Sequence, residues 1–254
     1  MDRRNIKLTI QYQGTQYCGW QSQSGPKTVQ DEIKAAIHKT TGRDVKVTGA
    51  GRTDAGVHAL GQVANFVIEH HLEPERYRDA LNYYLPDDIR VLDSAAVPLE
   101  FDARRDALFK RYRYLIGLEK SALYFAYRWE YTRPINYDLL KLAAGMIVGE
   151  HDFAPFCVVS SRKENNICLI ESALWRRIGP LLVFEIRGNR FLHSMIRSLV
   201  GAMVNLATVQ QDKNKLNLTL ERFGDIIKSS ATERVEFTAP AQGLYLVSVG
   251  YNKG

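Results

Sequence analysis

The chain has 254 residues, 45% hydrophobic and 24% charged with only 8 prolines, which excludes a disordered or collagen-like polymer and suits one large domain or two modest ones. Its 34 Lys and Arg against 28 Asp and Glu leave a formal charge of +6, a slight lean toward polyanionic partners that solubility alone also explains. Cys18, Cys157 and Cys168 are widely spaced and form no C-x-x-C pair, which argues against a disulfide framework or a structural zinc and fits a reducing cytoplasm. The opening Met1-Asp2-Arg3-Arg4 runs into a polar and apolar alternation, so neither a signal peptide nor a membrane span is expected there.

Ile6, Leu8, Ile10 and Tyr12 alternate with Lys7, Thr9 and Gln11, the period-two pattern of a half-buried strand. Gly14 and Gly19 then turn the chain. Thr28 and Asp31 read as a capping box for a helix whose Val29, Ile33, Ala36 and Ile37 share a face and which Gly42 stops. A short strand at Val45 and Val47 is expected next, then a glycine-punctuated loop over 49–61 and a strand over 62–68. Pro74 opens a second helix with Tyr77, Leu81, Tyr84 and Leu85 on one face, and Ile89, Val91 and Val97 mark a fourth strand.

The remainder predicts a strand over 109–117, a helix over 138–148 and a hairpin of 167–177 with 181–187, turned at Gly179 and Pro180. Helices over 191–206 and 218–228 and a last strand over 244–251 complete it. The first half has the strand, helix, strand, strand, helix, strand order of ferredoxin-like domains, and the second nearly repeats it. The expected class is therefore α/β of the α+β kind: two ferredoxin-like halves, 1–105 and 106–254, with mainly antiparallel sheets flanking a central catalytic cleft.

The most informative stretch is Gly49-Ala50-Gly51-Arg52-Thr53-Asp54-Ala55-Gly56-Val57-His58. A dinucleotide fingerprint would need glycine where Asp54 stands and a helix after the loop, where a strand is expected. A Walker-type loop from Gly51 reaches Gly56 but then offers Val57 and His58 in place of Lys and Ser or Thr. Two readings stay open: a site built on Arg52 and Asp54, or a hairpin whose glycines permit positive φ while Asp54 satisfies nearby backbone groups.

Lys110-Arg111-Tyr112-Arg113-Tyr114 on a strand puts Lys110, Tyr112 and Tyr114 on one face and the two arginines on the other. Cations interleaved with aromatics suit RNA, and they equally suit an edge strand guarded by charge. On the helix near Phe191, Leu192, Met195, Ile196, Leu199, Val200 and Met203 form the apolar stripe, while Arg197 lies one step off it with His193 and Gly201 on its own face. As an isolated feature Arg197 reads as a solvated residue at the edge of that stripe. The histidines form no metal set and His151 and Asp152 fall in an expected turn, so neither metal nor other cofactor is expected.

The segment from Gly51 to Ala59 closely resembles the tRNA pseudouridine synthase A family, as do Gly61-Gln62-Val63, Leu85-Pro86-Asp87-Asp88-Ile89, Lys110 to Tyr114, Gly149 to Phe153, Phe191 to Gly201 and Gly243 to Leu246, in family order. The resemblance implies two α/β halves around a basic cleft, a homodimer, and conversion of uridine to pseudouridine at positions 38, 39 and 40 of the tRNA anticodon arm. By position it makes Asp54 the catalytic aspartate, Tyr112 the active-site tyrosine, Arg197 the arginine that pairs with the aspartate, and Arg52 the loop arginine that helps displace the target base. One departure is Asn165-Asn166-Ile167, where an arginine or other basic residue is expected near the strand start.

The chemistry agrees with such a site. Isomerising uridine breaks N1–C1′, rotates the uracil and joins C5 to the same carbon, so it consumes no oxidant and one carboxylate suffices. Asp54 as an anion could attack C1′, assist removal of the 2′ proton or add to C6. An ion pair with Arg197 would hold it ionised. The target must leave the stack at a cost of roughly a few kcal/mol, with Tyr112 to stack on it and Arg52 to fill the gap. A non-catalytic RNA binder would have no use for the Asp54 loop, and a glycosidic hydrolase would want a second acid across the bond.

Overall fold

The computed structural model describes residues 2–209, 218–228 and 235–252, which form two compact units: Met1–Lys110 with Tyr245–Gly254, and Arg111–Leu244. In chain order the elements are β1 (Arg3–Tyr12), α1 (Val29–Thr41), β2 (Thr48–Gly49), β3 (His58–Glu69), α2 (Tyr77–Tyr84), β4 (Ile89–Val97), β5 (Phe109–Gly117), β6 (Trp129–Glu130), α3 (Tyr137–Met146), β7 (Gly149–Asp152), β8 (Ile167–Ile178), β9 (Leu181–Gly188), α4 (Met195–Ala207), α5 (Leu220–Lys228) and β10 (Leu244–Gly250). Among the described residues no helix is long and apolar enough to cross a membrane.

In the first unit β1 pairs antiparallel with both β3 and β4, and β2 pairs antiparallel with β3, giving the order β4-β1-β3-β2 of a ferredoxin-like sheet. The alternation read from β1 is real: Ile6, Leu8, Ile10 and Tyr12 are buried while Lys7 and Thr9 are only half-buried. Thr28 caps α1 by accepting from the Asp31 backbone N–H, and Gly42 ends it in the left-handed region. Val29, Ile33 and Ile37 of α1 join Phe66 and Tyr77 in the core, the last two meeting edge to face. Pro74 starts a short 3-10 turn before α2, and Tyr84, expected on its inner face, is exposed.

β3 is buried on both faces because a second layer lies on its far side. There Asn5 and Asn65 hold the segment 98–103: Asn5 Nδ2 donates to the carbonyls of Pro98 and Phe101, and Asn65 donates to Phe101 and accepts from Ala103 N. Ala50, Val63 and Ala103 fill this layer against Phe101, Val249 and Tyr251. The closing strand is thus part of the first unit, β10 running parallel to β3 at Tyr245 and Leu246, where the sequence assigns it to the second half.

The second unit carries the strand order β5-β9-β8-β7, with β6 beside β5 and antiparallel pairing of β8 with both β7 and β9. The Gly179–Pro180 hairpin is as expected, with Gly179 at positive φ. His151 and Asp152, expected in a turn, are strand residues of β7 paired with Cys168 and Ile167. α3 packs on α4, α5 and β8. α4 begins at Met195, not at Phe191, because Ser194 takes a φ of 58° and breaks the backbone ladder before it.

Candidate active site

The Asp54 loop connects β2 to β3, and the segment between β1 and α1 pins it. Trp20 N donates to Thr53 O (3.2 Å), Gly56 N donates to Tyr17 O (3.3 Å), and the Tyr12 hydroxyl bonds Thr53 Oγ1 (2.8 Å). Downstream, Gly14 N donates to His58 Nδ1 (3.0 Å), whose ring stacks on Tyr245. Upstream, Gln62 Nε2 donates to Gly51 O (2.9 Å). Thr53, Val57 and His58 are buried as anchors, whereas Asp54 is half-buried and Arg52 exposed. The loop therefore alternates: anchors turn inward, and Arg52 and Asp54 turn outward.

Close approach explains most of the glycines. Of the three in the loop only Gly56 has a positive φ (79°). A side chain at Gly49 would run into the Trp20 indole, and one at Gly51 would meet Lys110 Cε at 3.2 Å. On the segment packed against the loop, Gly19 sits at φ 85° where a Cβ would strike the Thr53 carbonyl. The glycine pattern is thus set by neighbours packed against the loop, which a reading of turn chemistry does not reveal.

Burial pushes the Tyr12 hydroxyl up to about 12, so it stays protonated against Thr53. Lys110, whose stem covers Gly51, is held below the ordinary lysine value by burial and then by the charge of Arg104. The Arg52 Nε donates to Gln21 Oε1 (3.2 Å), which ties the guanidinium to the segment between β1 and α1. β3 follows the loop directly, so no helix begins at its end, and both nucleotide-loop readings fail on structure as they do on spacing.

In the second unit Tyr112 is buried on β5, its ring meeting Phe191 edge to face at 5.1 Å. Phe191 lies in the non-helical turn before α4, so the break at Ser194 is what lets it reach this ring. Arg197 lies on the first turn of α4 and is half-buried. Its Nε donates to Ala239 O (2.9 Å), and Ala239 N donates back to Arg197 O (3.0 Å). Arg197 is thus not the solvated edge residue that its helix position alone suggests.

The segment 237–239 can lie this close because Gly201, one turn on, has no side chain: a Cβ there would meet the Phe237 carbonyl at 2.9 Å and Ala239 N at 3.0 Å. Tyr114, two residues beyond Tyr112, holds the same strap by donating to Pro240 O (2.7 Å) and packing on Gly243. Burial raises the Tyr114 pKa far above its ordinary value, with Arg197 opposing. The strap over 237–240 has no local signal in the sequence, where Gly201 stands only as a neighbour of Arg197 on one helical face.

The four expected site residues thus fall as two pairs, Arg52 with Asp54 on the loop of the first unit, and Tyr112 with Arg197 on β5 and α4 of the second. Among the described residues no three His, Cys, Asp or Glu side chains group as metal ligands.

A family model described as tRNA pseudouridine synthase matches residues 8–106 and 143–252, which include Arg52, Asp54 and Arg197, with Tyr112 falling between the two stretches. Among curated proteins, the tRNA pseudouridine synthase A of Acetivibrio thermocellus is 40% identical over 250 residues, 98% of this chain and 100% of its own. That of Brachyspira hyodysenteriae is 40% identical over 95% of this chain and 96% of its own, and that of Rippkaea orientalis 38% identical over 99% and 85%. With matches of this extent over both units, the chain belongs to the tRNA pseudouridine synthase family.

Proposed function

We propose that this protein isomerises uridine to pseudouridine in tRNA, at positions 38, 39 and 40 of the anticodon arm, with Asp54 as the catalytic carboxylate. The observation that carries the reading is the construction of the loop: Thr53, Val57 and His58 are locked in the core while Asp54 between them keeps access to solvent. A carboxylate on a rigid support at a half-open position is what attack on C1′, removal of the 2′ proton or addition to C6 requires, since each needs a fixed anion with room for a nucleotide.

The other residues divide the remaining work. Arg197, tied to Ala239 through both backbone and Nε, is a cation of fixed aim that would serve as the partner of the Asp54 carboxylate. Tyr112, with its ring set by Phe191, would stack on the flipped uracil. Arg52, exposed at the loop tip, would occupy the space the base leaves. The bond balance is internal: N1–C1′ breaks, C5–C1′ forms, and the C5 proton passes to solvent while N1 gains one. The protein is further proposed to act as a homodimer in the cytoplasm.

Unmodified tRNA carrying tritium at uridine C5 tests this. The expected result is release of label with the RNA chain intact, abolished by Asp54→Ala while tRNA binding persists. Absence of release by the parent protein overturns the activity, and an active Asp54→Ala variant overturns the role of the aspartate.

A further inference from the structure

Two loops of the second unit are stitched together just ahead of α4. In the first, over 158–166, Asn166 Oδ1 accepts from Lys163 N (2.9 Å) and its Nδ2 donates to Lys163 O (2.6 Å), and Asn165 Oδ1 accepts from Ile167 N (2.9 Å). In the second, over 189–194, Asn189 exchanges hydrogen bonds with the backbone of Leu169 (3.0 and 3.1 Å). Three contacts join the loops: Arg190 Nη2 donates to Asn165 O (2.7 Å), Ser161 Oγ bonds His193 Nδ1 (2.8 Å), and Val158 N donates to His193 O (3.3 Å).

The charge on this surface is unbalanced. Neither Arg190 nor Lys163 has a carboxylate within ion-pair distance among the described residues, although Glu164 is adjacent and Asp152 lies on neighbouring β7, where its carboxylate accepts from Ala154 N. Arg190 bonds a backbone carbonyl and lies beside the Cys168 thiol, which burial pushes up to about 11 against the opposing charge of Arg190, so it stays neutral. Both contacts orient the guanidinium without cancelling its charge. Its five-donor fork has N–H groups beyond those the two contacts use, and a phosphate suits them.

Position ties this surface to the candidate site. Arg190 immediately precedes Phe191, whose ring touches Tyr112, so one turn of chain faces the tyrosine with one residue and Asn165 with the other. It also answers the departure at Asn165-Asn166: a cation stands at that loop after all, supplied by a residue 25 positions along the chain.

We propose that Arg190, assisted by Lys163, forms a phosphate-binding platform for the RNA backbone beside the modified nucleotide. The inference rests on the tRNA reading above. Arg190 binds and does no chemistry.

Binding of unmodified tRNA is measured across a salt series for the parent, Arg190→Gln, Arg190→Ala and Lys163→Gln, together with single-turnover tritium release at saturating tRNA. Glutamine keeps an N–H donor for the Asn165 carbonyl while removing the charge. The expected result for Arg190→Gln is roughly three- to tenfold weaker binding, a salt slope shallower by about 0.7 to 0.9 for the lost phosphate contact, and an unchanged rate at saturation. An unchanged slope overturns the platform, as does a loss seen only with Arg190→Ala, which would make Arg190 a loop brace. If the parent releases no tritium, the isomerase reading fails; if the parent is active and the slope does not move, only the platform fails.

Discussion

Replacing Gly201 by alanine sets two effects of opposite sign against each other. Inside a helix the change should stabilise by about 1 kcal/mol, because alanine loses less backbone entropy. At Gly201 the new Cβ would stand 2.9 Å from the Phe237 carbonyl carbon and oxygen and 3.0 Å from Ala239 N, atoms of backbone that cannot rotate aside. The strap must lift, and two hydrogen bonds go with it. Arg197 Nε to Ala239 O has a charged donor and is worth about 1.5 to 3 kcal/mol, and Ala239 N to Arg197 O about 1 kcal/mol. Set against the propensity gain, the net expectation is a destabilisation of roughly 1.5 to 3 kcal/mol.

The assay is urea unfolding, with single-turnover tritium release beside it. Because Arg197 loses its fixed aim, the rate at saturating tRNA should fall more than the affinity does. Gly145→Ala is the control: Gly145 is exposed on α3 with nothing within 4 Å of an added methyl, so it should stabilise by about 0.5 to 1 kcal/mol and leave the rate alone. A Gly201→Ala variant that gains stability like the control, and turns over like the parent, would refute the seating of the strap over α4.

Two further outcomes follow from the support of the Asp54 loop. Tyr12→Phe leaves Thr53 Oγ1 buried without its partner, and should cost about 1 to 3 kcal/mol by urea unfolding while lowering kcat more than it raises KM. Lys110 gives a pH signature: its folded pKa lies below its unfolded value, so the unfolded chain binds the extra proton and stability rises as pH climbs from the folded to the unfolded lysine value. Lys110→Met should remove that rise, seen as the difference between parent and variant urea midpoints across alkaline pH. An identical pH dependence in both would refute the burial of the ammonium.

Local chemistry carried much of the chain unaided. The Thr28–Asp31 cap, the Gly42 stop and the β1 alternation involve residues a few positions apart, and no later contact reversed them. Where the reading failed, a distant partner intervened. Val45 and Val47 look like a strand, yet the Val47 carbonyl accepts from Gln30 Nε2 of α1 (2.7 Å), and the strand begins only at Thr48. The apolar stripe from Leu192 reads as helix, yet Phe191 is committed to Tyr112 and Ser194 to a left-handed turn before α4 can start.

The candidate site divides in the same way. Its residue types were legible from the Gly51–Ala59 and Lys110–Tyr114 motifs, because a spacing survives in sequence without its surroundings. The supports were not. The pinning of Thr53 from Tyr12 and Trp20, the fit of Gly201 under Phe237 and the reach of Arg190 to Asn165 span 25 residues or more of chain. The sequence by itself determined the class of elements, their order and the reactive side chains, since propensity, capping and periodicity act within a few residues. Only the tertiary structure decided which glycines face backbone, which unit holds β10 and how Arg197 is aimed, because these depend on close contacts between segments whose separation along the chain carries no local signal.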